Sequence, residues 1–130
     1  GRPIRVSSAT HFRENVFNTD GFIGKAGDLS GLPAKICARG AKALRLYSTS
    51  YTAGLLAAGR LIGVTYGQEK PWDAAAAAII VTEAGAKVTD LFGNEQRYDQ
   101  PIGGAVFSNA LVHDEILQLV QETLAESDGK

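Results

Sequence analysis

The chain has one cysteine, no methionine, and no apolar run near the roughly 20 residues that a membrane-spanning helix needs. A single cysteine, Cys37, excludes an internal disulfide, and Cys37, His11 and His113 are too few and too scattered for a structural zinc site. A formal charge of −1 over 130 residues gives no support for nucleic-acid binding through phosphate contacts. Because no signal peptide opens the chain, we expect a cytoplasmic protein that contacts neither membranes nor nucleic acids.

The sequence does have enough apolar material for one core. With 45% apolar and 21% charged residues, a chain of 130 residues is expected to form a single domain over 1–130. Its first residue is a glycine within a turn-like segment. Initiator removal from a complete protein and excision from a longer protein both explain that start.

Strand-like and helix-like stretches alternate along most of the chain. We predict strands over 4–7, 43–47, 61–66, 86–91 and 104–107, and helices over 32–41, 49–58, 71–84 and after Asn109. Pro33 and Pro71 fit first helical turns, Ser48 fits an N-cap, and Gly59 and Gly85 fit helix stops. The alternation predicts an α/β layered sandwich, with a largely parallel or mixed central sheet flanked by helices.

Other positions have weaker signals. Residues 11–17 fit a short helix, 18–21 fit a turn, and the glycine-rich stretch over 21–31 fits a flexible loop rather than a phosphate-binding loop. Cys37 is interpreted as a small core residue, and His11 and His113 as surface or capping residues. The inner face of the helix over 71–84 is expected to contain Ala76, Ile79, Ile80 and Glu83.

Asp73 is the first candidate for chemistry, because it falls in the first turn of a helix that follows a strand. Two interpretations remain open. The carboxylate stabilises the helix dipole by roughly 0.3–1 kcal/mol, or it ligates a hard cation such as Mg²⁺ at the carboxyl edge of the sheet.

The segment 48–50 (Ser-Thr-Ser) is the second candidate and also follows a predicted strand. Its backbone N–H groups and hydroxyls suit an anion or a polyol, while simple N-capping explains Ser48 equally well. A nearby set of basic residues is interpreted as a solvated face; it consists of Lys35, Arg39, Lys42 and Arg45.

One long segment resembles a family signature. Residues 72–86, WDAAAAAIIVTEAGA, resemble the C-terminal signature WDxAAxxxIVxEAGG of the inositol monophosphatase family. Residues 47–63 are similar to its GSAALDLxxVAAGRLDG segment, 70–73 to KPWD, and 88–93 to VTDxxG. The resemblance is good over about 43–126, loose over 1–8 and poor over 9–42.

The resemblance implies a C-terminal domain of a Mg²⁺-dependent phosphomonoesterase that acts on a small sugar or polyol phosphate. In this family Asp73 would ligate the second metal, and Ser48, Thr49 and Tyr66 would fall at substrate-binding positions. The N-terminal domain of the same parent chain would supply the other ligands through a DPxDGT segment and a Glu-Glu pair, neither of which occurs here. The resemblance also implies a homodimer, and it implies that this fragment is inactive alone.

Departures from the family pattern predict a substrate other than inositol monophosphate. Tyr47 replaces a glycine beside the substrate-facing helix start, and Tyr66 replaces a glutamate that holds sugar hydroxyls in inositol-hydrolysing relatives. The alternative function is a non-catalytic domain that binds a small ligand or forms a dimer. A DPxDGT segment upstream in the parent gene would distinguish the phosphatase from this alternative.

Overall fold

The computed structural model describes residues 4–19, 23–24, 27–67, 71–100 and 102–128. The strands are β1 (Val16–Thr19), β2 (Ile23–Gly24), β3 (Gly27–Asp28), β4 (Lys42–Leu44), β5 (Gly63–Tyr66), β6 (Lys87–Thr89) and β7 (Ala105–Ser108). The helices are α1 (Leu32–Ala38), α2 (Thr49–Ala57), α3 (Pro71–Glu83) and α4 (His113–Asp128). Among these described helices, none combines the length and the apolar character needed to cross a membrane.

Five strands form one mixed sheet in the order β4-β1-β5-β7-β6. β1 is parallel to both β4 and β5, whereas β7 is antiparallel to its two neighbours, β5 and β6. The carboxyl ends of β4, β1, β5 and β6 therefore share one edge of the sheet. This confirms the predicted α/β class with a mixed central sheet.

Helices cover both faces of this sheet, so the domain has three layers. On one face, α1 and α4 pack in a cluster that includes Phe17 and Val106. On the other face, α2 and α3 pack in a cluster that includes Val64 and Phe107. Val106 and Phe107 are adjacent on β7 and point to opposite faces, as expected for a strand buried on both sides.

The helix boundaries confirm the predicted caps. Ser48 Oγ accepts a hydrogen bond from the Tyr51 N–H at 3.2 Å, so Ser48 caps α2. Gly59 has a φ of +78° and Gly85 a φ of +101°, the left-handed conformation that ends α2 and α3. The predicted strands after residue 42 and the predicted helices are confirmed with bounds that shift by one to three residues.

The predicted inner face of α3 is wrong. Ile79 and Ile80 are 62% and 49% exposed, and Ala76 and Glu83 are exposed as well. The buried positions are instead Ala74, Ala77, Ala78 and Val81. Both sets have helical i, i+3, i+4, i+7 spacing, so spacing alone does not select between them. The set with the smaller side chains faces inward, because α3 packs against both the sheet and α2.

Two predictions near the N-terminus are also wrong. Residues 4–7 form no strand; the Val6 N–H donates to the Ala84 carbonyl at 3.0 Å, so this segment lies against the end of α3. The short helix expected over 11–17 is absent, since a turn leads directly into β1. Part of the expected 18–21 turn lies in β1, and Asp20 and Gly21 lie outside the described residues. The glycine-rich loop contains the short β2–β3 pair, and its residues 21–22 and 25–26 also lie outside them.

The burial of Cys37 and His113 is the reverse of what the sequence predicted. Cys37 is exposed, because α1 buries Leu32 and Ile36 and the next residue is rotated by about 100° towards solvent. His113 is completely buried at the start of α4, whereas His11 is exposed as predicted.

The His113 ring joins α4 to two strands through a directed set of hydrogen bonds. Nδ1 lies 2.7 Å from Ser108 Oγ, and Nε2 lies 2.8 Å from Thr89 Oγ1. The Thr89 hydroxyl donates to the Asp90 carbonyl at 2.8 Å, so Thr89 accepts from Nε2–H and Nδ1 accepts from Ser108. Burial, and then the charge of Lys87, lower the pKa of His113 to about 4, against a smaller opposing effect of Asp114.

This burial predicts that His113 makes stability depend on pH. Between pH about 6.5 and about 4 the unfolded chain binds a proton that the folded chain does not, so the free energy of unfolding falls as pH falls, by roughly 3 kcal/mol in total. Urea unfolding across this range should show a flatter pH dependence for His113→Gln than for the wild type. Equal slopes for wild type and His113→Gln would contradict the assignment.

Replacement by alanine should have opposite effects on stability at Gly63 and at Gly54. A Cβ at Gly63 would lie 2.7 Å from the side chains of Ile116 and Phe17, both fully buried, so Gly63→Ala should destabilise the domain by about 1–3 kcal/mol. Gly54, inside α2, faces open space, and Gly54→Ala should stabilise it by about 0.5–1 kcal/mol. Denaturant midpoints measure both changes; a stabilising Gly63→Ala would refute the tight packing of β5 against α4.

Candidate functional site

Two helices begin at the same edge of the sheet. α2 follows β4 and α3 follows β5, and both strands run parallel to β1 between them. The amino ends of α2 and α3 therefore lie at the carboxyl edge, where ligands bind in open α/β sheets. The two helices also pack against each other, which keeps their first turns close together.

A cleft of about 290 Å³ lies between these first turns. It is lined by Thr49, Ser50, Asp73, Ala76, Ala77 and Ile80. Asp73 is exposed and Thr49 is half-buried. The structure thus brings together the two segments that the sequence singled out separately, the start of α2 and the aspartate of α3. We call this space the Asp73 cleft.

A smaller cleft of about 90 Å³ adjoins it and shares Thr49. Its lining residues are Asn18, Leu46, Tyr47, Ser48, Thr49, Thr65 and Tyr66. We call it the Tyr66 cleft. All four predicted site residues therefore line one of the two clefts: Asp73 the first, Ser48 and Tyr66 the second, and Thr49 both.

Tyr66 lines its cleft with a ring that is held from two sides. Its hydroxyl lies 2.7 Å from Thr52 Oγ1 and 3.2 Å from the Thr49 carbonyl oxygen, both in the first turn of α2. Its ring packs edge-on against Phe107, with centroids 4.9 Å apart. Tyr66 is only 5% exposed, and its hydroxyl ties the end of β5 to the start of α2.

The sequence interpretation missed Asn18, which lies at the end of β1 beneath the Tyr66 cleft. Its Oδ1 accepts from the Leu46 N–H at 2.8 Å, and its Nδ2 donates to the Leu46 carbonyl at 3.5 Å. These bonds fix the chain just before α2. The signal was present: Val16 and Phe17 favour a strand, but the following turn-like residues obscured it.

The Asp73 cleft contains a donor suited to a hard cation. Carboxylate oxygen is a preferred ligand of Mg²⁺, and Asp73 is the one carboxylate among the described residues that line the two clefts. Across the described ranges, no three His, Cys, Asp or Glu residues form a group able to hold a metal ion. Asp73 thus fits a role as one ligand of a metal whose other ligands come from elsewhere.

Two of the basic residues, Lys35 and Arg39, line neither cleft. Lys35 pairs with Glu126 at 2.7 Å, and Arg39 pairs with Glu115 at 2.6 Å. These pairs join α1 to α4 on the opposite face of the sheet from α2 and α3. The interpretation of a solvated structural face is confirmed for these two residues.

Comparisons with known proteins agree with this arrangement. Residues 2–125 match the model of the inositol monophosphatase family. A curated relative, the fructose-1,6-bisphosphatase/inositol-1-monophosphatase of Thermotoga maritima, is 34% identical over 131 residues, which cover 100% of this chain and 49% of the relative. The chain therefore spans about half the length of that relative.

Solved structures show the same fold. The chain superposes on an IMPase of Thermotoga maritima with a TM-score of 0.84 and 32% identity, over 97% of this chain and 48% of that one. For an inositol monophosphatase of Anabaena the TM-score is 0.80 at 23% identity, over 93% of this chain and 50% of that one, which supports the fold alone. With the sequence match and the α/β sheet in agreement, the chain belongs to the inositol monophosphatase family.

Proposed function

We propose that residues 1–130 form the C-terminal domain of a Mg²⁺-dependent phosphomonoesterase, in which they complete the metal site and select the substrate. The observation that carries this proposal is the Asp73 cleft between α2 and α3. In this member of the family, the cleft places a carboxylate beside the first turn of α2. The relative from Thermotoga maritima is named a fructose-1,6-bisphosphatase/inositol-1-monophosphatase, which refers to a phosphorylated sugar and a phosphorylated polyol. A small sugar or polyol phosphate is the substrate class that we propose here.

Each residue has a proposed part in this activity. Asp73 would hold Mg²⁺, and when bound the metal supplies water activation and charge stabilisation. The amino ends of α2 and α3 carry partial positive charge, which favours a phosphate group in the cleft. The Thr49 N–H would donate to a substrate hydroxyl, while Ser48 and Tyr66 would shape the adjoining pocket.

The remaining metal ligands would come from the N-terminal domain of the same parent chain. Exposed apolar surface at the cleft supports this partner, because Ile80 lines the Asp73 cleft and is 49% exposed. Other large apolar or aromatic side chains are exposed on or beside α2 and α3; they are Tyr47, Tyr51, Trp72 and Ile79. A domain packed against Ile80 would bring its carboxylates towards Asp73.

The alternative is a non-catalytic domain that binds a small ligand or forms a dimer. The same exposed side chains favour it, since exposed apolar surface is typical of protein interfaces. A homodimer and a cytoplasmic location remain predictions under either function.

The chain alone should show no Mg²⁺-dependent phosphatase activity. One carboxylate cannot replace the several oxygen ligands that metal-assisted hydrolysis needs. Phosphate release from the purified chain, measured with and without Mg²⁺, checks this. Robust Mg²⁺-dependent release would show that these residues hold a complete site.

Activity should require Asp73 once the other half is present. We define the fusion as the Thermotoga maritima relative with its matching half replaced by this chain. In the fusion, Asp73→Asn should remove most turnover and reduce stability by only about 0.3–1 kcal/mol, because an amide keeps the shape but is a poor Mg²⁺ ligand.

Asp114→Asn is the matched control for this variant. It removes a first-turn carboxylate from α4, outside the residues that line either cleft, and should cost similar stability while keeping turnover. Thermal unfolding and Mg²⁺-dependent turnover are measured side by side. If Asp73→Asn turns over as fast as Asp114→Asn, Asp73 is not a metal ligand.

Inositol monophosphate should not be the best substrate of the fusion. The hydroxyl of Tyr66 is already bonded to α2, and it replaces a carboxylate that could accept from two substrate hydroxyls. A panel of inositol and sugar phosphates compared by kcat/KM tests this. An inositol phosphate in first place would disprove the specificity argument.

A further inference from the structure

Thr52 is a completely buried residue in the first turn of α2. Its Oγ1 lies 2.7 Å from the Tyr66 hydroxyl and 2.9 Å from the Ser48 carbonyl oxygen. Thr52 lines neither cleft, so its side chain is out of reach of a ligand bound there. Any influence of Thr52 on such a ligand must therefore pass through the residues that it bonds.

The two short contacts of Thr52 have a definite direction. A carbonyl oxygen only accepts, so Thr52 gives its single hydroxyl hydrogen to the Ser48 carbonyl. Tyr66 must then be the donor in the 2.7 Å contact, and Thr52 Oγ1 the acceptor. The Thr49 carbonyl oxygen lies 3.2 Å from both hydroxyls, so it is a weaker second acceptor. We call the two short bonds the Tyr66–Thr52 link.

The Tyr66–Thr52 link ends on the peptide group that joins residues 48 and 49. This group contains both the Ser48 carbonyl, which the link holds, and the Thr49 N–H, which would donate to a substrate hydroxyl. Because a peptide group is planar, a rotation that moves the carbonyl also moves the N–H. The link therefore controls the direction of the Thr49 N–H from the buried side of the helix.

We propose that Thr52 is a positioning residue for the substrate, because it holds the 48–49 peptide group so that the Thr49 N–H keeps one direction. Tyr66 acts through Thr52 in this role, rather than by contact of its own hydroxyl with the substrate. Thr49 lines both clefts, so its position affects a ligand in either one. This inference rests on the proposed function, in which the Thr49 N–H meets a substrate hydroxyl.

NMR relaxation of the 130-residue chain tests the link without any substrate. The order parameter of the Thr49 N–H should be about 0.85, the value of rigid backbone, in the wild type. It should fall below about 0.6, the range of flexible backbone, in Thr52→Val and in Tyr66→Phe, which each remove one hydroxyl of the link. Thr52→Ser keeps the hydroxyl and should keep the order parameter. A rigid Thr49 N–H in both Thr52→Val and Tyr66→Phe would overturn the proposal.

Thr123→Val is the matched control for Thr52→Val. Thr123 is also buried in a helix, and its Oγ1 donates at 2.7 Å to the Leu119 carbonyl, four residues earlier. It lies on α4, on the opposite face of the sheet from α2. Thr123→Val should therefore leave the Thr49 order parameter unchanged. An equal fall in this control would show general loosening of the domain and would also overturn the proposal.

Turnover of the fusion separates positioning from direct contact. The substrates are fructose 1,6-bisphosphate and inositol 1-phosphate, which the name of the relative gives. Thr52→Val should lower kcat/KM as much as Tyr66→Phe does, by about fivefold, and the double variant should lose no more than either one. Thr123→Val should keep the wild-type value. A loss in Tyr66→Phe alone, or losses that multiply in the double variant, would show that Tyr66 contacts the substrate itself.

The two measurements also separate this inference from the proposed function. If the Thr49 order parameter falls in Thr52→Val and Tyr66→Phe while the wild-type fusion is inactive, the proposed function fails and the link stands. If the wild-type fusion is active while neither variant changes the order parameter, the link fails and the proposed function stands.

Discussion

Close packing of α2 against α3 is the constraint on which the site depends. The two helices share a core cluster with the sheet, and small residues such as Ala53, Ala57, Ala74 and Ala77 are buried in it. Small side chains let helices approach closely, so the first turns stay near each other. The buried alanines of α3, Ala74, Ala77 and Ala78, therefore determine where Asp73 lies relative to Thr49.

The cleft floor is preorganised by hydrogen bonds that leave little freedom to the start of α2. Asn18 accepts a hydrogen bond from the Leu46 N–H, which fixes the backbone just before α2. Thr52 Oγ1 donates to the Ser48 carbonyl at 2.9 Å. Tyr66 then connects β5 to the same turn. These bonds come from β1, α2 and β5, so the position of the Thr49 N–H depends on the register of the parallel strands. Rigid elements of this kind hold a ligand more reproducibly than a loop does.

Much of this arrangement was predictable from sequence, for reasons visible in particular residues. Ser48, Gly59 and Gly85 act locally, so their caps and stops could be read without tertiary information. The buried face of α3 could not be predicted in this way, because two sets of its residues have the same helical spacing. Only packing against α2 and the sheet selects one of them. β1 was missed because turn-like residues after Phe17 obscure its local strand signal, and its partners β4 and β5 are distant in sequence. The burial of His113 likewise depends on Thr89 and Ser108.

The central claim is that Asp73 is a metal ligand in a site completed by another domain. The most direct measurement is an anomalous diffraction map of the fusion crystallised with Mn²⁺ in place of Mg²⁺. We predict a metal peak in the Asp73 cleft, bonded to the Asp73 carboxylate at about 2.1 Å and also to carboxylates of the other half. Metal peaks that are all bound by the other half, with Asp73 out of ligand range, would contradict the claim.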